Sequence, residues 1–334
     1  MRTRLLDASR PADLDEAARL LRAGKLVAFP TETVYGLGAL ALDPLAVRGI
    51  YAAKGRPASN PLIVHVRGVA EARALSTAWP GEAQLLAESF WPGPLTLVLP
   101  RGAAVPDEVT AGGPTVALRV PSHPVARALL DRVAEALAAP SANRAEHVSP
   151  TTAAHVGSDL DGRIDAIVDG GPCAVGIEST VLWLDPASAS PPRLLRAGAI
   201  GRAKIEQALK TRIGTGPASH DAAVAASPGL HARHYAPAGL LRLVPEGRIE
   251  KTARALAQTG RRVGVLARTW AGVEDVPASF ACLRLPEDPE GYARGFYAAL
   301  RALEEQGCEA IAVEDIPATG EWEAVADRLR RASS

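Results

Sequence analysis

Chemically active side chains are concentrated in the stretch 30–38, which reads PTETVYGLG. The apolar run 26–29 predicts a strand that ends at Pro30, and strand ends are a usual place for ligands in α/β sheets. Gly36 and Gly38 predict a tight turn or a close approach of the backbone to a ligand. Neither the glycine-lysine pattern of a phosphate loop nor the three-glycine dinucleotide pattern fits this spacing. A nucleotide would therefore be bound by another arrangement.

Two cations are expected at the end of a helix that follows this stretch. Asp43 and Pro44 predict the start of the helix, which must stop near Gly55. Lys54 and Arg56 therefore lie at the predicted helix end, where their charges can reach a neighbouring site.

Two predicted strands also carry basic side chains. The β-branched segment 61–66 predicts a strand that includes His65, and the segment 115–120 predicts another that includes Arg119. Strand alternation leaves two orientations of Arg119 open, towards water or into a cleft. From the connection lengths we expect the helix end, the His65 strand and the turn 31–35 to converge.

The available side chains favour binding and polarisation over covalent attack. The sequence has no G-x-S-x-G nucleophile elbow and no pairs of His or carboxylates at metal-ligand spacing. Hydroxyls, amides and a few cations suit transfer at a phosphorus atom, where positioning and charge neutralisation matter most. We therefore expect an enzyme whose protein groups bind and polarise the reactants, with no metal ligands among them.

Composition narrows the class of protein. The 334 residues are 47% hydrophobic, enough for the cores of two domains. Lys and Arg total 37, as do Asp and Glu, so no overall positive charge attracts nucleic acid. Cys173, Cys282 and Cys308 lack zinc-site spacing, which predicts a reducing compartment. Without a signal-peptide pattern or a long apolar run, we expect a cytoplasmic protein that does not enter the membrane.

Changes in composition predict two domains. The segment 211–237 is rich in Gly, Ala, Ser, Pro and His and lacks periodicity, whereas strand and helix patterns alternate on both sides of it. We predict a large domain over 1–210, an interdomain linker over 211–237 and a small α/β domain over 238–334.

Several local patterns predict how the large domain is built. Asp13 is expected to cap a helix that ends at Gly24, and 123–137 is expected to be helical. The small residues of 138–143 predict a turn that permits close approach of a ligand. Ser149, followed by a proline, predicts the cap of a further helix, whose N-terminus could also bind an anion.

Eight motifs occur in the order typical of one family. They are PTETVYGLG (30–38), KGRP (54–57), NPLIVH (60–65), WPGPLT (91–96), APSAN (139–143), SPT (149–151), DGGP (169–172) and EST (178–180). On these motifs the chain resembles the Sua5/YrdC/YciO family. SPG at 227–229 and HYAP at 234–237 are similar to the linker of its two-domain Sua5 type.

The resemblance implies both a fold and a reaction. The fold is α/β: a YrdC-like twisted mixed sheet with helices around a large cleft, plus a smaller C-terminal Rossmann-like α/β domain. In the reaction, L-threonine, bicarbonate or CO2 and ATP give threonylcarbamoyl-AMP and pyrophosphate. The product serves the t6A modification of adenosine 37 in tRNA, which makes tRNA and the downstream t6A transferase machinery indirect partners. Mg²⁺ is implied as an ion carried with ATP.

The resemblance also implies roles for individual residues. Those implied to hold threonine are Thr33, His65, Arg119 and Ser179, with Arg119 pairing the carboxylate. Those implied to hold ATP are Lys54, Arg56, Asn60, Thr115, Ser141, Ser149, Arg196 and Tyr235. Lys54 and Arg56 are the expected catalytic residues, because their charges would neutralise the phosphates. The linker around Tyr235 is expected to fold over the nucleotide as a lid.

Local patterns alone leave structural alternatives open. Thr33 could simply end a strand, Asn60 could be a turn residue, and His65 could be a core residue. Arg196 could be a solvated charge, and Glu32 could be a surface group.

Two other functions are compatible with parts of the sequence. A carbamoyltransferase of the hydrogenase-maturation type uses a related domain, but its C-x-x-C pairs and acylphosphatase-like module are missing here. A structured-RNA-binding module is disfavoured by zero net charge and by an aromatic content of 4%.

One departure from the family pattern follows Asn143. Ala145 and Glu146 stand where the family usually has a Ser-Gly pair. Loss of the glycine restricts the loop, and a carboxylate at Glu146 would be unfavourable beside phosphates if it pointed inward.

Overall fold

The computed structural model describes residues 2–186, 190–216, 237, 239–270, 280–317 and 320–333. The chain divides into two compact units. The first contains 1–145, 150–174 and 178–230; the second contains 146–149, 175–177 and 231–334. Tyr235 and most of the predicted linker lie outside the described residues. Within the described residues, no helix combines the length and apolarity that crossing a membrane requires.

The described part of the first unit is built on a mixed sheet of 11 strands in the order β1-β8-β2-β3-β7-β4-β6-β5-β9-β10-β11. The strands are β1 (Arg4–Asp7), β2 (Val27–Pro30), β3 (Tyr35–Leu40), β4 (Ile63–His65), β5 (Leu95–Pro100), β6 (Thr115–Arg119), β7 (Leu137–Ala138), β8 (Ala166–Asp169), β9 (Thr180–Trp183), β10 (Arg193–Arg196) and β11 (Gly214–Thr215).

Helices surround this sheet. They are α1 (Pro11–Arg22), α2 (Pro44–Lys54), α3 (Val69–Ala74), α4 (Gly81–Phe90), α5 (Asp107–Thr110), α6 (Pro124–Val133), α7 (Ala153–Leu160) and α8 (Arg202–Leu209). Leu21 of α1, Ile50 of α2 and Leu129 of α6 are fully buried in one apolar cluster with Val27 and Leu37 of the sheet. Burial of these side chains removes apolar surface from water and fixes the helices on the sheet.

Helix α2 has the boundaries that its sequence predicts. Asp43 caps it, because its Oδ1 accepts hydrogen bonds from the backbone N–H groups of Leu45 and Ala46. Gly55 ends it with a φ of 64°, the left-handed conformation that glycine adopts without strain. Lys54 is therefore the last helical residue, and Arg56 lies just past the end.

Gly36 and Gly38 do not form a turn, which corrects that alternative of the sequence prediction. Both lie within β3, which pairs with β2 and β7. A Cβ atom on Gly38 would lie 2.6 Å from the Phe29 ring, and one on Gly36 would lie 3.3 Å from Cβ of Ala139. The glycines allow close packing of neighbouring segments against the strand.

Three other local predictions are wrong in detail. Asp13 lies in the first turn of α1 and accepts a hydrogen bond from the Asp7 N–H, so it does not cap that helix. The predicted helix 123–137 ends at Val133, and its last residue, Leu137, begins β7 instead. Helix α7 is capped by Thr152, whose Oγ1 accepts from the His155 N–H, and not by Ser149.

Register aligns five side chains, four of them polar, in one row across five neighbouring strands. Arg119 of β6 is the partner of His65 in β4, and Val181 of β9 is the partner of both Thr96 in β5 and Arg196 in β10. Strands β5 and β6 are antiparallel and Leu97 pairs with Leu118, so Thr96, just before Leu97, lies opposite Arg119, just after Leu118, and the two halves of the row are joined. Four strand spacings of about 4.8 Å give the row a length of about 19 Å. We call these five positions, 65, 119, 96, 181 and 196, the polar row.

The second unit has a separate sheet, parallel throughout, in the order β12-β15-β13-β14. Its described elements are β12 (Leu240–Val244), α9 (Ile249–Ala257), β13 (Val263–Ala267), β14 (Phe280–Arg284), α10 (Pro289–Glu305), β15 (Ala310–Glu314), a 3₁₀ turn (Gly320–Trp322) and α11 (Glu323–Ala332). Val244, Ile249, Val263 and Ala310 belong to its buried apolar cluster. The predicted combination of a mixed sheet with a smaller parallel α/β unit is confirmed.

Candidate functional site

Arg119 is buried at the end of β6 and makes two polar contacts with the turn between β2 and β3. Its Nη1 donates to Thr33 Oγ1 at 3.1 Å, and its Nη2 donates to Glu32 Oε1 at 2.7 Å. Glu32 Oε2 accepts from the backbone N–H groups of Ser122 and His123. Burial would raise the pKa of Glu32, but the charge and hydrogen bond of Arg119 and the backbone amides outweigh it and lower the pKa. The water-facing alternative for Arg119 is therefore excluded, as is a surface position for Glu32.

The imidazole of His65 is buried beside Arg119. Neither ring nitrogen makes a hydrogen bond of ordinary geometry within the described part of the chain. Burial, together with the charge of Arg119, lowers the pKa of His65 to about 3, so the ring is neutral near pH 7. A neutral imidazole presents one donor and one acceptor, and here both can serve a polar ligand.

Lys54 binds the turn that follows β7. Its Nζ donates to the backbone oxygen of Ser141 at 2.6 Å, to Asn143 Oδ1 at 3.2 Å and to the Asn143 backbone oxygen. The Ala145 N–H donates back to the Lys54 carbonyl oxygen at 2.9 Å. Burial, with the nearby charge of Arg56, lowers the pKa of Lys54, whereas three oxygen acceptors favour the ammonium form. The helix end is therefore joined to the small-residue turn 138–143, a contact that the sequence analysis did not predict.

Arg56 and Asn60 are joined in the loop after α2. Arg56 Nε donates to the Asn60 carbonyl oxygen at 3.3 Å, and Nη2 donates to the Pro61 carbonyl oxygen at 3.1 Å. The Tyr51 hydroxyl donates to the same Asn60 oxygen at 3.1 Å. Both Arg56 and Asn60 are buried, and these bonds shape the loop that leads to β4.

Ser179 and Arg196 are in direct contact. Arg196 Nη2 donates to the Ser179 backbone oxygen at 3.0 Å and to its Oγ at 3.1 Å, and Nε donates to the same backbone oxygen at 3.1 Å. Ser179 Oγ also lies 2.8 Å from Thr96 Oγ1. Ser179, which the resemblance implies holds threonine, is thus hydrogen-bonded to Arg196, which it implies holds ATP.

Of the three remaining predicted residues, Thr115 and Ser149 belong to the described part of the chain. Thr115 begins β6, so it lies about 13 Å along the strand from Arg119 although both side chains face the same side. Ser149 is buried in the segment 146–149, which belongs to the second unit. Tyr235 lies outside the described residues.

Glu32, Thr96 and Asn143 have contacts that sequence reasoning did not assign. Glu32 is the counterion of Arg119, Thr96 is hydrogen-bonded to Ser179, and Asn143 accepts from Lys54. All three lie inside the motifs PTETVYGLG, WPGPLT and APSAN, so membership of a motif was the available signal.

The site offers cationic, hydroxyl and amide groups rather than metal ligands. Across the described ranges, no group of three or more His, Cys, Asp or Glu side chains is placed to hold a metal ion. A cavity of about 700 Å³ lies elsewhere in the first unit, where Asp7, Asp13 and Asp169 contribute to its wall. None of the predicted site residues lines that cavity.

A mixed α/β sheet with a buried polar row, joined to a smaller parallel unit, defines a ligand-binding α/β protein of two units. The family model Sua5/YciO/YrdC, described as telomere recombination, matches residues 19–198. A second model, described as the C-terminal domain of threonylcarbamoyl-AMP synthase, matches 200–334. The chain therefore belongs to the Sua5/YciO/YrdC family, in its two-domain form.

Relatives of known name align over almost the whole chain. The threonylcarbamoyl-AMP synthase of Pyrococcus abyssi is 42% identical over 95% of this chain and 93% of its own length. The Bacillus subtilis protein of the same name is 44% identical, over 95% and 92%. The crystal structure of P. abyssi Sua5 complexed with L-threonine superposes with a TM-score of 0.90 at 40% identity, covering 100% of this chain and 98% of that one.

Proposed function

We propose that this chain is an L-threonylcarbamoyladenylate synthase, which makes threonylcarbamoyl-AMP and pyrophosphate from L-threonine, bicarbonate or CO2, and ATP. The observation that carries the proposal is the match to synthases of that name over 95% of the chain at 42% and 44% identity. The polar row supports it, because the buried polar side chains His65, Arg119, Thr96 and Arg196 suit the polar groups of these substrates. The enzyme is thus a nucleotidyltransferase.

The proposed chemistry needs no nucleophile from the protein. The deprotonated amine of threonine forms an N–C bond to the carbon of CO2, or of bicarbonate with loss of water, which gives a carbamate. A carbamate oxygen then attacks the α-phosphorus of ATP, the bond from that phosphorus to the bridging oxygen breaks, and pyrophosphate leaves. The protein must align the two reactants and neutralise the phosphate charge.

The threonine subsite is assigned to the buried group around Arg119. Arg119 would pair with the carboxylate, while Thr33, His65 and Ser179 would bind the remaining polar atoms. The neutral ring of His65 supports this assignment, because its nitrogens can meet a donor and an acceptor of the amino acid. Glu32 offsets the charge of Arg119 before the substrate arrives.

The ATP subsite is assigned to eight residues: Lys54, Arg56, Asn60, Thr115, Ser141, Ser149, Arg196 and Tyr235. Lys54 and Arg56 would neutralise the phosphates. Their hydrogen bonds to backbone oxygens of Ser141 and Asn60 also form the two loops that would border the nucleotide. A catalytic role for both cations therefore includes keeping these loops in place.

Mg²⁺ would enter with the nucleotide. The residues of the ATP subsite are cations, hydroxyls and amides, whereas Mg²⁺ prefers oxygen ligands such as phosphates and carboxylates. When bound, the ion would screen the triphosphate. The tRNA and its t6A transferase machinery would use the product downstream, and the free cysteines Cys173, Cys282 and Cys308 support a cytoplasmic location.

The test is pyrophosphate release measured with each reactant left out in turn. We expect release to require threonine, bicarbonate and ATP together, and threonylcarbamoyl-AMP to form in equal amount. Pyrophosphate release that is independent of threonine would contradict the proposal. Binding of tRNA without any ATP turnover would favour an RNA-binding module instead.

A further inference from the structure

Thr96 lies in the middle of the polar row and has no role in the chemistry described above. It is completely buried, and its Oγ1 lies 2.8 Å from Oγ of Ser179, which is 1% exposed. The two residues are 83 positions apart in the chain, so the contact is made by the pairing of β5 with β9.

Either hydroxyl can be the donor of this hydrogen bond. A buried hydroxyl hydrogen needs an acceptor, and Ser179 Oγ is the acceptor that the described residues offer to Thr96. Arg196 Nη2, 3.1 Å from the same Oγ, can only donate. When the Ser179 O–H donates to a third group, Thr96 is the donor of this pair, and Thr96 and Arg196 together fill the two lone pairs of Ser179 Oγ.

The hydroxyl hydrogen of Ser179 must then point away from both neighbours. Within the described part of the chain it has no other hydrogen-bond partner. The backbone of Ser179 is also held, because Arg196 Nε and Nη2 both donate to its carbonyl oxygen. Ser179 can thus donate to a third group, which the described residues do not supply.

We propose that Thr96 is a positioning residue of the threonine subsite: it holds Ser179 so that the serine hydroxyl donates to an oxygen of the bound threonine. The proposal rests on the proposed function, in which Ser179 contacts that substrate. Thr96 itself does not touch the reactants. Without the Thr96 hydroxyl, one lone pair of Ser179 Oγ has no donor and the Ser179 O–H can rotate. Binding of threonine must then also order the Ser179 hydroxyl, which weakens the affinity.

The experiment compares Thr96→Val, Thr96→Ser, Ser179→Ala and the double variant Thr96→Val with Ser179→Ala in the full chain. The KM for threonine, the KM for ATP and kcat are measured by pyrophosphate release. We expect Thr96→Val to raise the threonine KM about tenfold, the factor for loss of one ordinary hydrogen bond, with less change in the ATP KM. Thr96→Ser keeps the hydroxyl and is expected to stay within about twofold of the wild type.

The double variant decides whether Thr96 acts through Ser179. We expect Thr96→Val to add nothing to the threonine KM when Ser179 is already alanine. An equal rise in both backgrounds would overturn the proposal, because Thr96 would then act by packing alone. If Thr96→Val does not fold, a Thr96→Ser variant as impaired as Ser179→Ala would overturn it in the same way.

Ser179→Ala separates this proposal from the assignment of the subsite. If Ser179→Ala leaves the threonine KM unchanged, Ser179 does not bind threonine, and the assignment of the subsite fails together with the role of Thr96. If Ser179→Ala raises the KM while Thr96→Val does not, the assignment stands and the positioning role of Thr96 is overturned.

Discussion

Glu32 and Arg119 form a buried ion pair, with Glu32 Oε1 2.7 Å from Arg119 Nη2 and both side chains less than one-tenth exposed. The pair joins the β2–β3 turn to the end of β6, two elements that are 87 residues apart. Glu32 Oε2 also accepts hydrogen bonds from two backbone N–H groups just before α6. One carboxylate therefore connects the β2–β3 turn, the end of β6 and the start of α6.

We predict that Glu32→Gln destabilises the fold by about 3–5 kcal/mol, since it leaves the buried Arg119 charge without a counterion. The free energy of unfolding is measured by chemical denaturation. The control is Glu16→Gln, which removes a carboxylate from the exposed Arg4 and Arg19 and should destabilise the fold far less, because solvent screens that ion pair.

The pH dependence of this effect has a definite sign. The pKa of Glu32 is lowered in the folded state, so its stabilisation is present above the unfolded value near 4.5 and is lost as the pH falls through the folded value. The difference between wild type and Glu32→Gln should therefore shrink in acid below pH 4.5. A difference that is constant down to acid unfolding would contradict the ion-pair explanation.

His65 makes the protein less stable in mild acid. Its folded pKa is about 3 and its unfolded value is 6.5, so the unfolded chain binds a proton first as the pH falls. From pH 8 to pH 5 this lowers the free energy of unfolding by about 2 kcal/mol. In His65→Gln this contribution should be missing, which denaturation at both pH values would reveal. Equal pH dependence in the two proteins would refute a neutral buried imidazole.

Gly198 packs directly on the backbone of the Ser179 segment. An added Cβ would lie 2.3 Å from Thr180 N and 2.4 Å from Ser179 C, so the backbone would have to move. We predict that Gly198→Ala costs about 1–3 kcal/mol and raises the KM for threonine. Gly201→Ala is the control, because a Cβ there meets no atom within 4 Å. Equal threonine KM values for the two variants would show that this packing does not position Ser179.

Glu146 adopts a φ of 68° although it is not glycine. Its side chain is exposed, so the carboxylate does not point into the protein, and the cost of the departure from the family's glycine is conformational. Glu146→Gly should raise the free energy of unfolding by about 1 kcal/mol. The control is Arg144→Gly at a neighbouring exposed residue whose φ is not positive. This substitution should lower the free energy of unfolding, because glycine adds conformational freedom to the unfolded chain. A destabilised Glu146→Gly protein would contradict this explanation.

Lys54→Met should strongly reduce activity and remove the hydrogen bonds that hold the turn at Ser141 and Asn143. The substitution keeps the apolar stem but removes a buried group that binds three oxygen atoms. We predict a loss of pyrophosphate release of at least about 100-fold and a destabilisation of about 3 kcal/mol. Exposed Lys25→Met serves as the control and should leave both quantities close to wild type. Retained activity in Lys54→Met would remove Lys54 from the catalytic residues.

Local sequence signals predicted the elements whose ends are set by neighbouring residues. Helix α2 is the clearest example, because the Asp43 cap and the left-handed Gly55 act within a few residues of the helix. The strands Leu240–Val244 and Val263–Ala267 were recognisable as apolar runs for the same reason.

Distant pairing decided the elements that were predicted wrongly. Leu137 was predicted to end a helix, yet it lies in a strand because β3 and β4 pair with that strand on either side. Gly36 and Gly38 belong to a strand because Phe29 and Ala139 pack against it, which no local pattern reveals. Tertiary contacts override local propensity in both cases.

The motifs predicted which residues belong to the candidate site, but not which side chains contact each other there. Resemblance singled out Arg119 and Ser179, but their partners Glu32 and Thr96 come from positions 87 and 83 residues away. Such contacts depend on strand order and register, which the motifs do not specify.

The register of β4 with β6 has a consequence for how the enzyme matures. His65 and Arg119 are paired with each other, so a slip of one residue in either strand would turn its side chain to the opposite surface of the sheet. A molecule that mispairs these strands would keep most of its regular structure but lose the proposed threonine subsite. If so, the specific activity of a preparation would rise with the fraction of molecules in which β4 and β6 are paired in this register.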